Sequence, residues 1–446
     1  MAMSGLPLIT HAEAEAIVAW RPDGPVKAGQ FLADVQRLAK QLPAGGQVLN
    51  MCADRYRFAV GLAAGIVAGK VSLLPSTHTP EMIRQMRRLA PELFCLSDQA
   101  EPDIDLPLQR YPDGPAARVS FEVPLIEADQ VIAEVFTSGS TGLPIPHQKR
   151  WGSMVRNVRG EARRLGVDAR FALLGTVPPQ HMYGFESTVL MPFQSGASFH
   201  CGRPFFAADI CAALARLPRP RALVTTPYHL RAMLAEVPEA PPADLLLSAT
   251  APLSAELAAE AEARFGAPLL EIYGCTETGQ LATRRTCATQ AWQPLPGVVL
   301  SPDEDGVVAS GGHVELPTRL SDFIEVGADG SFRLLGRFSD LINIAGKRTS
   351  LAYLNHQLTS IPGVRDGTFV LPETTDEVEA VVRLTALVVA PGLSRAALLH
   401  ALRERIDAAF LPRPLLLVDA LPRNASGKLP TQALRALARQ RAAESV

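Results

Sequence analysis

The 446-residue sequence lacks an uninterrupted apolar run of membrane-spanning length. Its most apolar stretch, residues 58–71, is interrupted by glycines and contains Lys70, whereas a spanning helix needs about 20 consecutive apolar residues. Residues 1–15 also lack a basic segment followed by an apolar core, which is the pattern of a secretory signal. These absences predict no membrane insertion and a cytoplasmic location.

Patterns for metal binding and disulfide formation are absent as well. No two of the six cysteines have CxxC spacing, and no histidine cluster accompanies them. The sequence therefore argues against a structural zinc site and against a disulfide framework. The formal net charge of −2 gives no reason to expect nucleic-acid binding, and no nucleic-acid-reading module is recognisable.

The positive charge is nevertheless uneven along the chain. Residues 147–170 contain seven Lys or Arg against two Asp or Glu, and residues 401–446 contain eight against four. Such stretches are often solvated helix faces. They can also dock phosphate groups or an acidic partner. The sequence leaves both interpretations open.

Helical and strand-like patterns alternate over most of the chain. Residues 30–42 repeat apolar side chains at helical spacing, residues 47–52 have the pattern of a strand, and residues 56–68 are helical again. Further buried strands are predicted at residues 171–176, 198–201, 222–225, 245–248 and 269–272. This alternation predicts an α/β fold with a largely parallel sheet.

The pattern changes after Gly336. Short strands alternate there with an amphipathic helix predicted over residues 394–411 and with a terminal Arg-rich helix. We therefore predict a large N-terminal domain, residues 1–338, and a smaller α+β C-terminal domain, residues 341–446.

The segment with the clearest chemical character is VIAEVFTSGSTGLPIPHQK, residues 131–149. An apolar strand leads directly into a turn formed by Thr137, Ser138, Gly139, Ser140, Thr141 and Gly142. Glycines permit close backbone approach, while hydroxyl and backbone N–H groups can cradle phosphate oxygens. The turn is not the GxxxxGK[ST] loop, because the second glycine and the lysine of that pattern are absent. Taken alone, it is either a phosphate-binding turn or an ordinary loop.

The TSGSTGLP turn resembles the phosphate loop of the adenylate-forming superfamily, which includes acyl- and aryl-CoA synthetases, peptide-synthetase adenylation domains and firefly luciferase. Further motifs of that family follow in its order: HMYG at 181–184, SATAP at 248–252, YGCTE at 273–277, GRFSD at 336–340 and LPRNASGK at 421–428. The resemblance covers about residues 50–430. It implies the family's fold, with a large ATP- and acid-binding domain and a mobile C-terminal domain. It also implies the family's reaction, in which an acid becomes an acyl-AMP, pyrophosphate leaves, and the acyl group passes to a thiol.

By this resemblance, Lys428 stabilises the charge that develops as the acid attacks the α-phosphate of ATP. Two anions meet in that step, so positioning and positive charge matter more than a covalent nucleophile. Glu277 is implied to bind Mg²⁺, a hard cation that prefers carboxylate and phosphate oxygens. Thr276 is implied to contact the α-phosphate, and His181 to shape the acid site or hold the carboxylate. Ordinary solvated side chains are the alternative for Lys428 and Glu277, and a histidine held by backbone groups is the alternative for His181.

The nucleotide site implied by the resemblance draws on several segments besides the phosphate turn. Tyr273 would stack against adenine, Asp322 would accept hydrogen bonds from the ribose hydroxyls, and Arg337 would reach the ribose or the phosphates. The other residues implied to bind ATP or AMP are Ala249, Thr250, Ala251, Gly274 and Thr276. The acid pocket is implied to include His181, Gly184, Phe185, Gly274 and Gly279. Asp340 is implied to be the hinge of the mobile domain.

Two positions depart from the family's pattern. Ile145 stands where a lysine normally follows the phosphate loop, and Lys149 and Arg150 are candidates for the missing charge. Asn343 stands where CoA ligases frequently have a lysine. Together with the two basic stretches, Asn343 favours the phosphopantetheine thiol of an acidic acyl carrier protein over free CoA as the acceptor.

The segment GSTGLPIPHQKRW resembles the stand-alone ligases of bacterial aryl-polyene pigment clusters, which load hydroxybenzoate-type acids. The leading hypothesis is therefore an ATP- and Mg²⁺-dependent ligase that loads a small aromatic acid onto a carrier protein. An aryl- or acyl-CoA synthetase is one alternative. A non-catalytic relative that binds nucleotide or carrier protein is another, which Ile145 favours and which intact Lys428, Glu277 and Asp322 oppose.

Overall fold

The computed structural model describes residues 5–75, 78–100, 102, 104–117, 120–138, 144–304, 306–337, 341–344, 347–371, 383–424 and 429–443. Several residues that the sequence assigns to the site lie outside these ranges. They are Gly139, Ser140, Thr141, Gly142, Asp340 and Lys428. Their roles remain predictions, as do those of Thr137, Ser138 and Arg337, which are described only as strand residues.

The strands and helices follow one another along the chain in an alternating order. The strands are β1 (Leu6–Pro7), β2 (Ile17–Arg21), β3 (Gly24–Lys27), β4 (Gln47–Asn50), β5 (Val71–Leu74), β6 (Phe94–Ser97), β7 (Leu108–Arg110), β8 (Leu125–Ile126), β9 (Val131–Ser138), β10 (Pro144–Arg150), β11 (Ala172–Gly175), β12 (Ser198–His200), β13 (Arg221–Thr225), β14 (Leu245–Ser248), β15 (Leu269–Cys275), β16 (Gly279–Arg284), β17 (Gln293–Pro294), β18 (Val298–Asp303), β19 (Gly306–Gly311), β20 (Thr318–Arg319), β21 (Asp322–Val326), β22 (Phe332–Arg337), β23 (Leu341–Ile344), β24 (Lys347–Ser350), β25 (Asp366–Val370), β26 (Thr385–Val389) and β27 (Leu415–Leu417). The α-helices are α1 (Ala28–Ala39), α2 (Arg55–Val67), α3 (Pro80–Leu89), α4 (Trp151–Leu165), α5 (Met182–Phe185), α6 (Met191–Ser195), α7 (Ala207–Arg216), α8 (Pro227–Glu236), α9 (Ala255–Phe265), α10 (Leu351–Thr359), α11 (Arg395–Arg403) and α12 (Thr431–Ala443). A π-helix, Glu186–Leu190, follows α5, and a 3₁₀ turn, Ala408–Phe410, follows α11.

Two large sheets dominate the N-terminal part. One has the strand order β10-β9-β5-β4-β6-β7, with only the β9–β10 pair antiparallel. The other has the order β17-β16-β15-β14-β13-β11-β12-β2-β3, parallel from β15 to β2 and antiparallel at both edges. Strands of parallel sheets are apolar throughout because helices cover both faces, and every residue of β14 is buried. The prediction of an α/β fold with a largely parallel sheet is confirmed.

Side-chain caps start several of the helices. Asp54 accepts a hydrogen bond from Arg57 N at the start of α2, and Ser254 accepts one from Leu257 N at the start of α9. Gly166 ends α4 in the left-handed conformation, which glycine adopts without steric cost. Among the described helices, none combines the length and apolar character needed to cross a membrane.

The C-terminal part has an apolar core of its own. In a three-stranded sheet of order β25-β26-β27, the β26–β27 pair is parallel. Leu358 of α10, Phe369 of β25, Val388 of β26 and Leu398 of α11 belong to one buried cluster. A separate core is what a second α+β domain requires, although the exact domain boundaries remain a prediction.

The helix predicted over residues 394–411 is shorter than expected. Ser394 caps it by accepting a hydrogen bond from Ala397 N, but α11 ends at Arg403. Asp407 then accepts a hydrogen bond from Ala409 N and starts the 3₁₀ turn, which buries Phe410 in the C-terminal core. The helical pattern therefore covered two elements, because the apolar spacing continued across a break that Asp407 stabilises.

Candidate functional site

The end of β15 brings two of the predicted nucleotide-binding residues together. The Tyr273 hydroxyl donates a hydrogen bond to Asp322 Oδ2 at 2.7 Å, although 49 residues separate them in sequence. The Tyr273 ring packs against Trp292 and Phe332, with centroid distances of 5.7 and 5.6 Å. This packing fixes Tyr273, which in turn holds the Asp322 carboxylate at the start of β21.

The turn that follows β15 carries Thr276 and Glu277 and is anchored by hydrogen bonds from Lys149. Lys149 Nζ donates to the backbone oxygens of Thr276 and, at 3.1 Å, of Glu277, and the lysine is only 6% exposed. Burial lowers the pKa of Lys149, while the neighbouring Glu186 opposes that shift. The Glu277 side chain is 42% exposed, and its Oε1 lies 4.0 Å from His147 Nε2. Lys149 therefore orients the turn through its carbonyls and leaves the Glu277 carboxylate near the surface.

The predicted acid-pocket residues 181–185 form a tightly packed helical turn. His181 precedes α5, and its Nδ1 accepts a hydrogen bond from Tyr183 N at 3.3 Å. A Cβ atom at Gly184 would lie 2.0 Å from the carbonyl oxygen of Pro178, so only glycine fits there. Phe185 is 0% exposed and belongs to the main apolar core. His181 thus has a local backbone contact, as its alternative interpretation required, and its part in acid binding remains a prediction.

Thr250 has an unusual backbone conformation in the segment predicted to lie along adenine. Its φ is 78°, and it is the one non-glycine residue with positive φ in the described part of the chain. A β-branched residue adopts this conformation rarely, at a cost of about 1–3 kcal/mol. The strain lies just after β14, at the carboxyl ends of the parallel strands, where α/β proteins bind their ligands.

Asp366 of β25 holds the first part of the segment that carries Lys428. Arg423 donates to both Asp366 oxygens from Nη2 at 2.8 Å and to Oδ2 from Nε at 3.1 Å. Burial lowers the pKa of Arg231 in α8, and the nearby Asp366 carboxylate opposes this shift. The LPRNASGK segment is therefore anchored at Arg423, next to a helix of the N-terminal part.

The structure also forms a buried polar network that sequence reasoning missed. Its members are Asn157, Glu161, Glu186, Ser187 and Gln280, each at most 3% exposed. Asn157 Nδ2 donates to Glu186 Oε1 at 2.5 Å. Ser187 Oγ donates to Glu161 Oε1 at 2.7 Å and accepts from Gln280 Nε2 at 2.9 Å. The only sequence signal was a pair of polar residues, 157 and 161, four apart on a helix face that is otherwise apolar.

Burial favours the protonated form of the two carboxyl groups in the buried polar network. It raises the pKa of Glu161 to about 7, against opposing hydrogen bonds from Ser187 and Gln280. Burial and then the proximity of Glu161 raise the pKa of Glu186, while Lys149 opposes the increase. A charged carboxylate without water is costly, so the neutral acid is favoured in the folded state.

We expect this burial to make stability depend on pH. Between the unfolded pKa near 4.5 and the folded pKa near 7, folded Glu161 holds a proton that the unfolded chain has lost, so its stabilising contribution fades as pH rises. The free energy of unfolding of Glu161→Gln relative to wild type should therefore increase from pH 5 to pH 8, by up to about 3 kcal/mol. Denaturant unfolding at each pH measures this difference. Exposed Glu92→Gln is the control, and a difference for Glu161→Gln that does not change with pH would contradict the expectation.

The donor set at the turn fits a magnesium ion that is shared with a nucleotide. The described residues contain no group of three or more His, Cys, Asp and Glu side chains that could hold a metal alone. Mg²⁺ is usually bound by one or two carboxylates together with substrate phosphates and water. The partly exposed Glu277 carboxylate suits that arrangement, and its role as the magnesium ligand remains a prediction.

Comparisons with known proteins agree with the motifs. Residues 15–312 match the family model described as AMP-binding enzyme. A 4-coumarate–CoA ligase of Rhodobacter capsulatus is 32% identical over 298 residues, covering 66% of this chain and 73% of the ligase. A 3-hydroxybenzoate–CoA/4-hydroxybenzoate–CoA ligase of Thauera aromatica is 24% identical over 400 residues, covering 80% of this chain and 76% of the ligase.

The fold is shared over almost the whole chain with a solved structure. ATP-bound MatB from Rhodopseudomonas palustris matches with a TM-score of 0.82 at 20% identity, covering 96% of this chain and 97% of MatB. The match therefore extends well beyond residue 312 into the C-terminal part.

Proposed function

This chain belongs to the AMP-binding enzyme family of adenylate-forming enzymes, and on that premise we propose that it activates a small aromatic acid with ATP and transfers it to a phosphopantetheine thiol. The observation that carries the proposal is the hydrogen bond between Tyr273 and Asp322, two residues from separate motifs. Between Tyr273 and the turn lies Gly274, whose backbone is exposed. A planar ligand beside this strand end would meet an exposed backbone and a fixed carboxylate at the same time.

That geometry supports the roles that we propose for the site residues. Asp322, held by Tyr273, accepts hydrogen bonds from the ribose hydroxyls. Thr276 and Glu277 face the phosphates from a turn that Lys149 fixes, so the charge of Lys149 compensates in part for Ile145. Mg²⁺, when bound beside Glu277, would neutralise phosphate charge. Lys428 brings the remaining positive charge to the reacting carboxylate.

The proposed acid is a hydroxybenzoate-type acid. The Thauera ligase, which resembles 80% of this chain, is named for two hydroxybenzoates. The Rhodobacter ligase is named for 4-coumarate, which is also an aromatic acid. Both names support a small aromatic substrate, and they are also consistent with the resemblance to aryl-polyene ligases.

The proposed acceptor is an acyl carrier protein that docks on α12. Most of the first basic stretch contacts its own chain: Arg156 donates to Gly312 O, Arg159 to Gln194 and Arg164 to Pro294 O. Those arginines therefore form hydrogen bonds within the N-terminal part of the fold. In the second basic stretch, Arg439 is exposed on α12, where its positive charge would attract an acidic partner.

Labelled-pyrophosphate exchange into ATP tests the first half-reaction. We expect exchange that depends on addition of a benzoic acid from a panel of benzoic and fatty acids. Offering the activated enzyme free CoA or a phosphopantetheinylated acyl carrier protein then tests the acceptor, and we expect faster thioester formation on the carrier protein.

Each alternative predicts a different result in the same assay. Thioester formation on CoA alone would identify an aryl-CoA synthetase and contradict the carrier-protein proposal. Absence of exchange with every acid would favour the non-catalytic relative that Ile145 suggests.

A further inference from the structure

A surface cavity of about 500 Å³ lies beside the C-terminal half of α4. It is bounded by the N-terminal segment, by α4 and the loop that follows it, and by the end of α6. The polar residues that line it are Thr10, Arg159, Arg163, Asp168, Gln194 and Ser195.

The cavity and the predicted nucleotide site lie at opposite edges of the larger sheet. Asp168 precedes β11, which begins at Ala172, so the cavity is at the amino ends of the parallel strands. Thr250 and the Thr276–Glu277 turn instead follow the carboxyl ends of β14 and β15, which run parallel to β11. A ligand in the cavity would therefore occupy a second site.

The cavity accounts for a cation that the fold itself does not pair. Residues 147–170, the first basic stretch, contain seven Lys or Arg. Six of them donate hydrogen bonds to other groups of the protein, namely Lys149, Arg150, Arg156, Arg159, Arg164 and Arg170. Within the part of the chain that the structure describes, the side chain of the seventh, Arg163, has neither a hydrogen bond nor an ion pair.

Two positive charges face the cavity without a matching negative charge. Arg159 and Arg163 lie one turn apart on α4, where like charges repel. Burial and then Arg163 lower the pKa of Arg159, and no carboxylate among the described groups opposes that shift. Asp168 also lines the cavity, but Arg170 binds both of its carboxylate oxygens at 2.7–3.0 Å. The wall therefore favours an anion.

Hydrogen bonds hold the polar part of the wall in place. Gln194 is only 5% exposed, and its Nε2 donates to the backbone oxygens of Pro7 at 2.9 Å and Leu8 at 3.1 Å. Its Oε1 accepts a hydrogen bond from Arg159 Nη2 at 2.9 Å, which fixes the guanidinium. Ser195 Oγ accepts from Ala197 N, so its hydroxyl proton can point to a ligand. A fixed guanidinium loses little freedom when it binds.

We propose that this cavity binds a phosphate group between Arg159 and Arg163. Guanidinium groups bind phosphate oxygens through paired N–H bonds, and a phosphate would give Arg163 the counter-ion that the described chain does not provide. The carboxyl end of α4 carries about half a negative charge, which opposes the anion less than two full positive charges attract it. The cavity is larger than a phosphate ion, so either free phosphate or a small phosphate ester could occupy it.

Calorimetric titration of the whole protein with inorganic phosphate and with glycerol 3-phosphate tests the site. At low ionic strength we expect a Kd of about 1 mM or lower for at least one of them. Tighter binding of the ester would indicate that the ligand carries an organic group, and tighter binding of the ion would indicate free phosphate. No binding of either up to about 10 mM would overturn the proposal.

Arg163→Gln locates the bound phosphate. Gln keeps the helical preference of an exposed position and removes the charge, so phosphate should bind about 10-fold more weakly or worse. Arg156→Gln is the control, because Arg156 is exposed on the same helix but does not line the cavity, and its Kd should stay within about twofold of wild type. Unchanged binding in Arg163→Gln, as at the predicted nucleotide site, or equal weakening in both variants would overturn the proposal.

The inference does not depend on the proposed function. Binding is measured directly, so absence of pyrophosphate exchange would leave the result of the titration intact. Likewise, loss of phosphate binding in Arg163→Gln with normal exchange would support the second site, whereas exchange without any phosphate binding at Arg163 would overturn the site and leave the proposed function standing.

Discussion

Replacing Lys428 with alanine is expected to lower acid-dependent pyrophosphate exchange by about 100-fold or more without changing thermal stability. The carboxylate and the α-phosphate are both anions, so the barrier depends on positive charge placed at the bridging oxygen. The Asp366–Arg423 ion pair anchors the chain before the lysine, and α12 begins at Thr431 just after it.

The control for Lys428→Ala is Arg439→Ala, which removes an exposed cation from α12 of the same domain. Exchange by the control should remain near the wild-type rate. Transfer from a synthetic acyl-AMP to the thiol should be much less affected in Lys428→Ala than exchange. If Lys428→Ala is folded and keeps exchange within about threefold of wild type, another cation performs this role.

Replacing Gly184 with alanine is expected to destabilise the protein by about 3 kcal/mol or more, or to prevent folding. The new methyl group would lie 2.0 Å from the carbonyl oxygen of Pro178 and 2.8 Å from its carbonyl carbon. Both are backbone atoms, so no side-chain rotation relieves the overlap. The 181–185 turn would have to move, and Phe185 would then leave its place in the core. Urea unfolding followed by circular dichroism measures the loss.

Gly160→Ala is the matched control for Gly184→Ala. Gly160 lies inside α4, and a Cβ atom there would meet only Pro296 Cδ, at the ordinary contact distance of 3.7 Å. Alanine favours helix over glycine by about 1 kcal/mol, so this variant should be as stable as wild type or slightly more stable. Equal stabilities of the two variants would show that the 178–184 contact relaxes at little cost.

Local sequence patterns predicted much of the fold. Buried strands such as β14 appeared as short apolar runs, and the caps of α9 and α11, Ser254 and Ser394, are of a residue type that favours helix starts. The end of α11 was missed, because the apolar spacing did not reveal that Asp407 would start a separate turn. Caps and strands depend on residues that are close in sequence. The break after α11 depends instead on the tertiary core, in which the turn that follows buries Phe410.

The buried polar network was not predictable for a different reason. Asn157, Glu186 and Gln280 are far apart in sequence, and each is unremarkable among its neighbours. Their hydrogen bonds form only because α4, the π-helix and β16 converge around Gly279. The raised pKa of Glu161 likewise results from burial, which no local pattern of charges indicates.

The sequence by itself determined the family, through ordered motifs whose residue types suit nucleotide binding, and the α/β class, through the alternation of helical and strand periods. The sequence was sufficient for these two features because both depend on residue identity and on spacing along the chain. Only the tertiary structure decided that Tyr273 holds Asp322, that Lys149 binds the turn of Thr276 and Glu277, and that carboxyl groups are buried beneath Gly279. Hydrogen bonds and desolvation act over a few ångströms in space, and separation along the chain does not determine which distant residues come that close.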